Sequence, residues 1–266
     1  MSRARPKLVA LDLDGTLLRT DKTISARNRA AVAGLVVRGT AVVVCTGRPP
    51  RTARAFAEQL SLVDLGIVYN GGAVYDFGRD RAIERFDFSA ETATAAVETL
   101  RAAHPGVMCG LETGYGWFVD RGRYDLVRQG RTPYETEPDG VGDVLDFMRE
   151  QVTKLLVWHP DVPVRTLAGT LQGLPLHSTW SIPGLLEVVR EDVNKRTALA
   201  RIAADLGITA ADVAAFGDQH NDREMLAWAG FGVAMGNADA EVKGLADWVT
   251  AGCDEDGVAE VIETWL

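Results

Sequence analysis

Two aspartates separated by a single residue follow a short apolar run near the start of the chain. The run Leu8–Leu11 is typical of a strand that is buried on both faces, and Asp12 and Asp14 come directly after it. Because alternate residues of an extended chain point the same way, the two carboxylates can converge to within about 7 Å. Two carboxylates at the mouth of a buried strand repel each other unless a cation or a proton lies between them. The spacing therefore indicates cation or proton chemistry rather than a turn with solvated acids.

The same stretch does not fit an EF-hand, the commonest calcium-binding loop with closely spaced aspartates. That loop requires a glycine at its sixth position and a glutamate at its twelfth. Counted from Asp12, these positions hold Leu17 and Thr23.

Polar residues also follow other apolar runs of the chain, and those that we weight most are Thr46, Asp218, Asn221 and Asp222. In an open parallel sheet the carboxyl ends of the strands lie along one edge, where ligands bind. Together with Asp12 and Asp14, the set holds four carboxylates. Oxygen ligands suit Mg²⁺, whereas zinc would favour His or Cys, and of these only His220 is present here.

Lys195 and the adjacent Arg196 occupy the start of a predicted helix, where cations oppose the helix dipole. Their placement costs about 0.3–1 kcal/mol. A residue that breaks a local rule is a candidate for function. We expect Lys195 to balance the charge of the carboxylates and of a phosphate, the alternative being a solvated surface lysine.

These residue types together indicate phosphoryl transfer. Asp12 is the candidate nucleophile, which attacks phosphorus and forms an acyl phosphate. Asp14 would protonate the departing alkoxide and later deprotonate the attacking water. Mg²⁺, Lys195 and the Thr46 hydroxyl would stabilise charge on the phosphoryl oxygens.

The elements that must position these residues alternate as strand, helix and strand at both ends of the chain, the pattern of a parallel sheet. Ser25, Ser89 and Asn194 are predicted helix N-caps. Residues 83–189 break the alternation and are predicted to form a separate α/β domain. It is inserted into an α/β domain built from residues 1–82 and 190–266.

Composition narrows the class of protein. The 266 residues are 47% hydrophobic, and 28 Lys and Arg against 37 Asp and Glu give a net charge of −9. An acidic chain without a basic stripe predicts no nucleic-acid partner. Three scattered cysteines fit a reducing compartment, and no apolar segment reaches membrane-spanning length. We expect a cytoplasmic monomer or homodimer without a membrane partner.

The combined motifs resemble a known family. Asp12–Thr16, Thr46–Arg48, Lys195 and Gly217–Asp222 resemble the four motifs of the haloacid dehalogenase-like (HAD) superfamily. Asn70–Gly71, Gly236–Ala238 and Glu255–Ala259 are similar to segments of its Cof-type branch. The resemblance covers nearly the whole chain.

The resemblance implies a Rossmann-like parallel-sheet core with an inserted α/β cap, and Mg²⁺-dependent hydrolysis of phosphate monoesters. It implies that Asp12 is the nucleophile and Asp14 the acid and base. The metal ligands that it implies are Asp12, the Asp14 backbone carbonyl and Asp218, with Asp222 either a further ligand or a residue that supports the ligands. The phosphate or substrate residues that it implies are Thr46, Gly47, Arg48, Asn70, Lys195 and Asn221.

Other activities compatible with these motifs stay open to different degrees. A dehalogenase of the superfamily lacks the carboxylate at Asp14, whereas a phosphomutase or a non-catalytic sugar-phosphate sensor would share the motifs. Branch members usually have glycine where this chain has Arg196, which bears on specificity more than on catalysis.

The substrate is expected to be a small phosphorylated metabolite, such as a sugar phosphate, selected by the inserted domain. The candidate contact residues there are Trp117, Arg121, Arg123, Lys154, Trp158, His159 and Trp180. The alternatives are that the aromatic residues form the core of that domain and that the cations are solvated.

Overall fold

A computed structural model describes residues 4–114, 116–129, 136–148 and 151–266. Its chain divides into two compact units. We call residues 1–84 and 194–266 the core unit and residues 85–193 the inserted unit.

The strands of the described residues are β1 (Leu8–Leu11), β2 (Ala41–Cys45), β3 (Gly66–Val68), β4 (Ala73–Asp76), β5 (Arg81–Arg85), β6 (Met108–Thr113), β7 (Trp117–Asp120), β8 (Gly140–Gly142), β9 (Val152–Trp158), β10 (Leu176–Ile182), β11 (Leu185–Arg190), β12 (Val213–Gly217), β13 (Phe231–Ala234) and β14 (Trp248–Val249). The α-helices of the same residues are α1 (Ala26–Val37), α2 (Pro50–Gln59), α3 (Ala90–Ala103), α4 (Arg121–Arg128), α5 (Val164–Thr170), α6 (Lys195–Asp205), α7 (Arg223–Trp228), α8 (Ala240–Lys243) and α9 (Gly257–Glu263).

The larger sheet, as far as the described residues go, has eight strands in the order β14-β13-β12-β1-β2-β3-β4-β5. Strand β1 pairs in parallel with β12 on one side and with β2 on the other. Strands β3 and β4 are antiparallel. Leu11 lies opposite Phe216 of β12 and Val44 of β2, so the residues that follow these three strands come out at the same edge. The predicted α/β class with a parallel-sheet core is confirmed.

Apolar packing around β1 supports the sheet edge at which the predicted site residues lie. All four residues of β1 are fully buried, as expected for a strand covered on both faces. Helix α1 begins after Ser25, whose side chain accepts a hydrogen bond from the Asn28 N–H, as predicted. Its buried Val32 and Leu35 pack into the same apolar cluster as Val9 and Leu11. Each such side chain contributes about 1.5–3 kcal/mol when it leaves water.

The inserted unit has its own sheet and its own apolar core. Its described strands are ordered β10-β11-β9-β6-β7-β8 and mostly antiparallel. Buried side chains of β9 and β11, such as Leu155 and Val188, pack with Leu100 of α3 and Leu167 of α5. A separate cluster, Trp117, Val119, Leu156 and Trp158, lies elsewhere in the unit.

Element ends differ from the sequence predictions by a few residues. The sequence predicts a helix over about 162–172 and a closing helix over 258–266, and the structure has these helices at Val164–Thr170 and Gly257–Glu263. Ser89 caps α3 through the Thr92 N–H, as predicted. Helix ends are set by hydrogen bonds to neighbouring segments, which periodicity alone does not resolve.

Candidate active site

Backbone pairing positions the first aspartate of the chain at the sheet edge. The Asp12 N–H donates to the Phe216 carbonyl at 3.1 Å, which extends the pairing of β1 with β12 by one step. Asp218 follows Gly217, the last residue of β12. Both carboxylates therefore emerge from adjacent parallel strands at the same level.

Lys195 is fully buried and joins two carboxylates of this edge. Its Nζ lies 2.6 Å from Asp12 Oδ1 and 2.6 Å from Asp222 Oδ1. Burial would lower the pKa of the Lys195 ammonium, but the two carboxylates outweigh it and raise that pKa above its usual range. The alternative of a solvated surface lysine is wrong, because the side chain has no exposed fraction.

The first turn of α6 fixes the position of Lys195, which is the first residue of the helix. Asn194 is the N-cap, with its Oδ1 accepting from the Thr197 N–H at 2.9 Å and its own N–H donating to Thr197 Oγ1. This reciprocal capping box supports the predicted helix start. Gly71 packs directly on the Asn194 backbone, and a side chain there would overlap the Asn194 carbonyl. The helix start is thus held by the loop that follows β3.

Three buried carboxylates converge around this lysine. Among the described residues, Asp12, Asp218 and Asp222 offer oxygens that all lie within 4.8 Å of one another. Burial, and then repulsion from Asp222, raises the pKa of Asp218 to about 7. Burial likewise raises the pKa of Asp12 well above its usual range, against the attraction of Lys195. Three carboxylates and one ammonium carry a formal charge of −2 when all are ionised, which favours a divalent cation.

Asp222 also shapes the loop that carries Asp218. Its Oδ2 accepts hydrogen bonds from the backbone N–H groups of Asp218 and Gln219, both at 3.0 Å. Its Oδ1 already accepts from Lys195. Because both oxygens have donors, Asp222 acts on the geometry of the other two carboxylates whether or not it touches a metal ion.

The Asp218 carboxylate is oriented by hydrogen bonds from residues of separate segments. Thr16 Oγ1 donates to its Oδ1 at 3.1 Å, and Asn237 Nδ2 lies 3.3 Å from its Oδ2. Asn237 Nδ2 also donates to the Gly15 carbonyl at 2.7 Å. Gly15 has φ +78°, and a side chain there would overlap the Asp218 carboxylate. Only glycine fits this position without displacing the acid.

Asp14 faces two cations rather than the buried lysine. Arg48 donates to both of its oxygens, from Nε to Oδ2 at 2.5 Å and from Nη2 to Oδ1 at 2.7 Å. Lys22 Nζ donates to Oδ1 at 2.7 Å. Burial alone would raise the pKa of Asp14, but the hydrogen bonds from Arg48 and Lys22 lower it below its usual value.

The other predicted phosphate residues follow β2, β3 and β12. Thr46 is buried, and its Oγ1 accepts from the Arg48 N–H at 3.1 Å, which leaves the hydroxyl proton to donate elsewhere. Gly47, which is half-buried, lies between Thr46 and Arg48 in the chain. Asn221 Nδ2 donates to Asn70 Oδ1 at 2.9 Å. The remaining amide atoms of this pair, Asn70 Nδ2 and Asn221 Oδ1, are buried without a hydrogen-bond partner among the described residues.

The structure thus joins the predicted residues in three groups. In the first group, Lys195 contacts Asp12 and Asp222, and Asp218 lies beside them. In the second, the Arg48 side chain contacts Asp14 and the Arg48 backbone N–H contacts Thr46. The third is the pair Asn70 and Asn221. Sequence reasoning missed the parts played by Thr16, Lys22 and Asn237. Thr16 and Asn237 stand within the motifs quoted above, whereas no spacing signal marks Lys22.

The candidates in the inserted unit have mixed surroundings. Trp117 and Trp158 belong to an apolar cluster. This agrees with the alternative that the aromatic candidates form the core of the inserted domain. Arg123 is buried with its guanidinium 4.4 Å from the Trp158 ring centroid. Lys154 is buried in an ion pair with Glu187, so the expectation of a solvated cation is wrong for these two.

The remaining three candidates of that unit make contacts nearer its surface. His159 Nε2 lies 3.2 Å from the Pro105 carbonyl, and the Arg165 guanidinium lies 5.0 Å from the Trp180 ring centroid. The Arg121 guanidinium lies 5.9 Å from the Tyr124 ring centroid.

Helices able to cross a bilayer are absent from the described part of the chain, since none there is both long and apolar enough.

Comparisons of the sequence and the structure with known proteins lead to the same family. A family profile described as haloacid dehalogenase-like hydrolase matches residues 9–262. The chain is 32% identical to the 5-amino-6-(5-phospho-D-ribitylamino)uracil phosphatase YitU of Bacillus subtilis, over 98% of each chain. It is 28% identical to the pyridoxal phosphate phosphatase YbhA of Escherichia coli, over 98% of each chain. A solved haloacid dehalogenase-like hydrolase from Bacteroides thetaiotaomicron is 29% identical, with a TM-score of 0.76 over 98% of this chain and 100% of that one.

Proposed function

Since the chain belongs to the haloacid dehalogenase-like hydrolases, we propose that it is a phosphatase that hydrolyses phosphate monoesters of small metabolites. The observation that carries this proposal is the Asp12 carboxylate, held 2.6 Å from the buried Lys195 ammonium and next to two further carboxylates. An anionic nucleophile beside a fixed cation is suited to attack a phosphate, whose own negative charge must be neutralised.

The acidic cluster fits a magnesium ion. Its donors are carboxylate oxygens, and the raised pKa values of Asp12 and Asp218 indicate that Lys195 alone compensates these acids poorly. Asp12, Asp218 and the Asp14 backbone carbonyl would hold the ion, with Asp222 as a ligand or as the support of the loop. Bound there, Mg²⁺ would supply positive charge for the phosphoryl oxygens.

In the proposed first step, an oxygen of Asp12 attacks phosphorus and the ester P–O bond breaks, which leaves an acyl phosphate on Asp12. Lys195 already donates to Oδ1, which leaves Oδ2 as the attacking oxygen. Arg48 and Lys22 hold Asp14 ionised in the resting protein. As the acid, it would first take up a proton from solvent and then give it to the departing alkoxide. The donors available to bind phosphoryl oxygens are the Thr46 hydroxyl and Asn70 Nδ2. Asn221 supports Asn70 by donating to its Oδ1.

In the second step, water attacks the acyl phosphate and Asp14 takes up the proton that the water loses. Inorganic phosphate leaves and the Asp12 carboxylate is regenerated. Lys195 keeps its proton throughout, because its pKa is raised by the two carboxylates that it contacts. Its part is to bind and neutralise charge.

The substrate is proposed to be a small phosphorylated metabolite that the inserted unit, acting as a cap, selects. Two relatives are named for phosphate esters of a ribitylamino-uracil and of pyridoxal, which supports this size and class. The buried cysteines Cys45, Cys109 and Cys253 form no disulfide and support a cytoplasmic location. A monomer or a homodimer is still our prediction for the assembly.

Phosphate release from p-nitrophenyl phosphate tests the proposed activity. We expect turnover with added Mg²⁺, its loss in excess EDTA, and its return when Mg²⁺ is restored. Asp12→Asn protein, purified in the same way, is the control for contaminating phosphatases. Full activity in EDTA would contradict the metal requirement, and no release from a broad set of phosphorylated metabolites would favour a sensor. Conversion between isomeric sugar phosphates without free phosphate would instead identify a phosphomutase.

A further inference from the structure

Lys22 occupies a backbone position that lysine rarely adopts. It closes a tight turn, with its N–H donating to the Arg19 carbonyl at 2.9 Å, and its φ is +64°. Left-handed backbone favours glycine or asparagine, because a longer L-residue is strained there. A lysine at such a site is a local inconsistency, which is where function is sought.

The other residues of the turn that carries Lys22 are held by an ion pair and by hydrogen bonds. Arg19 pairs with Asp256 at 2.8 Å, and the Thr20 N–H donates to Asp254 at 2.9 Å. Asp21 accepts hydrogen bonds from the N–H and the hydroxyl of Thr23. With these neighbours engaged, the Lys22 side chain reaches to the Asp14 carboxylate instead, at 2.7 Å.

Lys22 and Arg48 donate to the same Asp14 oxygen, Oδ1. The three side chains together carry a formal charge of +1 when Asp14 is ionised. The Lys22 side chain is 54% exposed, so a ligand can reach it. Of the two cations on Asp14, Lys22 is therefore the accessible one, because the Arg48 side chain is mostly buried.

Asp14 is the proposed proton donor to the leaving group, and this places the leaving group beside Lys22. The leaving-group oxygen must lie one hydrogen bond from an Asp14 oxygen, and Lys22 Nζ lies 2.7 Å from Oδ1. Two hydrogen bonds and the width of the carboxylate separate the leaving-group oxygen from the Lys22 ammonium by about 8 Å at most. A substituent one or two bonds from the ester oxygen is then within reach of the Lys22 ammonium.

We propose that Lys22, together with Arg48, is a specificity-determining site that selects phosphate monoesters whose leaving group carries an anionic substituent near the ester oxygen. The inference rests on the proposed phosphatase function and on Asp14 as its acid. It adds a second anion-binding position, outside the one that holds the transferred phosphoryl group.

Two substrates of nearly equal size test this selection: 3-carboxyphenyl phosphate, which carries the anion, and its neutral amide, 3-carbamoylphenyl phosphate. The quantity measured is the ratio of their kcat/KM values. Lys22→Asn removes the charge and suits the left-handed backbone, so the protein is expected to fold, which a thermal melt checks. Lys22→Arg keeps the charge.

We expect Lys22→Asn to lower the ratio by about threefold to fivefold, mainly through a higher KM for the carboxylate, as for a partly exposed charge pair. Lys22→Arg should retain most of the parent ratio. Lys7→Asn is the matched control, because Lys7 forms an exposed pair with Asp212 at 3.0 Å and should leave the ratio unchanged.

An unchanged ratio in Lys22→Asn would overturn the inference, as would an equal loss of kcat for both substrates, which would show that Lys22 only orients Asp14. These outcomes leave phosphate release by the parent protein intact. If the parent hydrolyses neither ester nor p-nitrophenyl phosphate, the proposed function fails and the inference fails with it.

Discussion

At the scale of single residues, the buried Lys195 decides how three carboxylates coexist. It lies 2.6 Å from Asp12 and 2.6 Å from Asp222, and it has no exposed fraction. A buried ammonium is costly alone, and so are buried carboxylates, but together they offset one another. Lys195 opposes the burial that raises the pKa of Asp12 and holds its carboxylate in place, as a nucleophile requires.

Asp12→Asn is expected to reduce phosphate release at least about 1,000-fold, because an amide does not attack phosphorus as a carboxylate does. The fold should persist, since the change removes one of several repelling acids while Lys195 keeps Asp222. Steady-state kinetics and a thermal melt measure both. Asp212→Asn, at an exposed ion pair, is the control. Parent-like turnover by Asp12→Asn would disprove the nucleophile.

Lys195→Met is expected to lower the free energy of unfolding by about 3–5 kcal/mol at pH 7, because it leaves buried carboxylates without their cation. The loss should shrink towards pH 5, where protons neutralise carboxyls whose pKa is raised. Denaturant unfolding at the two pH values measures it. Lys7→Met, which breaks an exposed pair, should cost less than about 1 kcal/mol at either pH. Equal costs for the two variants would contradict the role of Lys195.

At the scale of elements, the strand-to-loop turn after β1 aims the acids through one glycine. Gly15 has φ +78°, and a side chain added there would run into the Asp218 carboxylate. Asn237 donates to the Gly15 carbonyl and also reaches Asp218. The turn therefore helps to position the Asp218 carboxylate at the end of β12.

Gly15→Ala and Gly39→Ala separate backbone strain from steric overlap. Gly39 has a similar φ, +80°, but has no atom near an added Cβ. We expect Gly39→Ala to cost about 1 kcal/mol of stability and no activity. Gly15→Ala should cost more and reduce Mg²⁺-dependent turnover at least about tenfold, because it displaces Asp218. Denaturant unfolding and kinetics compare the two, and equal activity would show that Asp218 tolerates the shift.

At the scale of the whole molecule, the acidic cluster connects stability to pH and to metal. The pKa of Asp218 is raised from 3.8 to about 7 in the folded chain. A raised pKa contributes stability that is fully present below about pH 4 and is lost as the pH rises through about 7. Protein stripped of metal therefore loses this contribution across that window, as Asp218 ionises next to Asp222.

Mg²⁺ is expected to raise the melting temperature more at pH 8 than at pH 5, because it binds the ionised carboxylates. The difference between melts with and without saturating MgCl₂ isolates the cluster from acids such as Asp14, whose pKa is lowered. Asp218→Asn should remove most of the pH dependence of this difference. The same Mg²⁺ shift at both pH values in the parent would contradict a magnesium site here.

The sequence by itself determined the local features. The apolar run of β1, the caps at Ser25, Ser89 and Asn194, and the alternation of strands and helices follow from short-range periodicity and capping chemistry. These features predicted a parallel sheet, and hence that polar residues after its strands would meet at one edge.

Only the tertiary structure decided which side chains touch. Lys195 contacts Asp12 from 183 residues away, and Thr16 contacts Asp218 from 202 residues away. Lys22 is eight residues from Asp14, but its turn depends on distant Asp254 and Asp256 to hold the other side chains. Periodicity records which face a residue takes, whereas contact depends on the path of the whole chain. The helix start marked Lys195 as a candidate, but which carboxylates it contacts had no local signal.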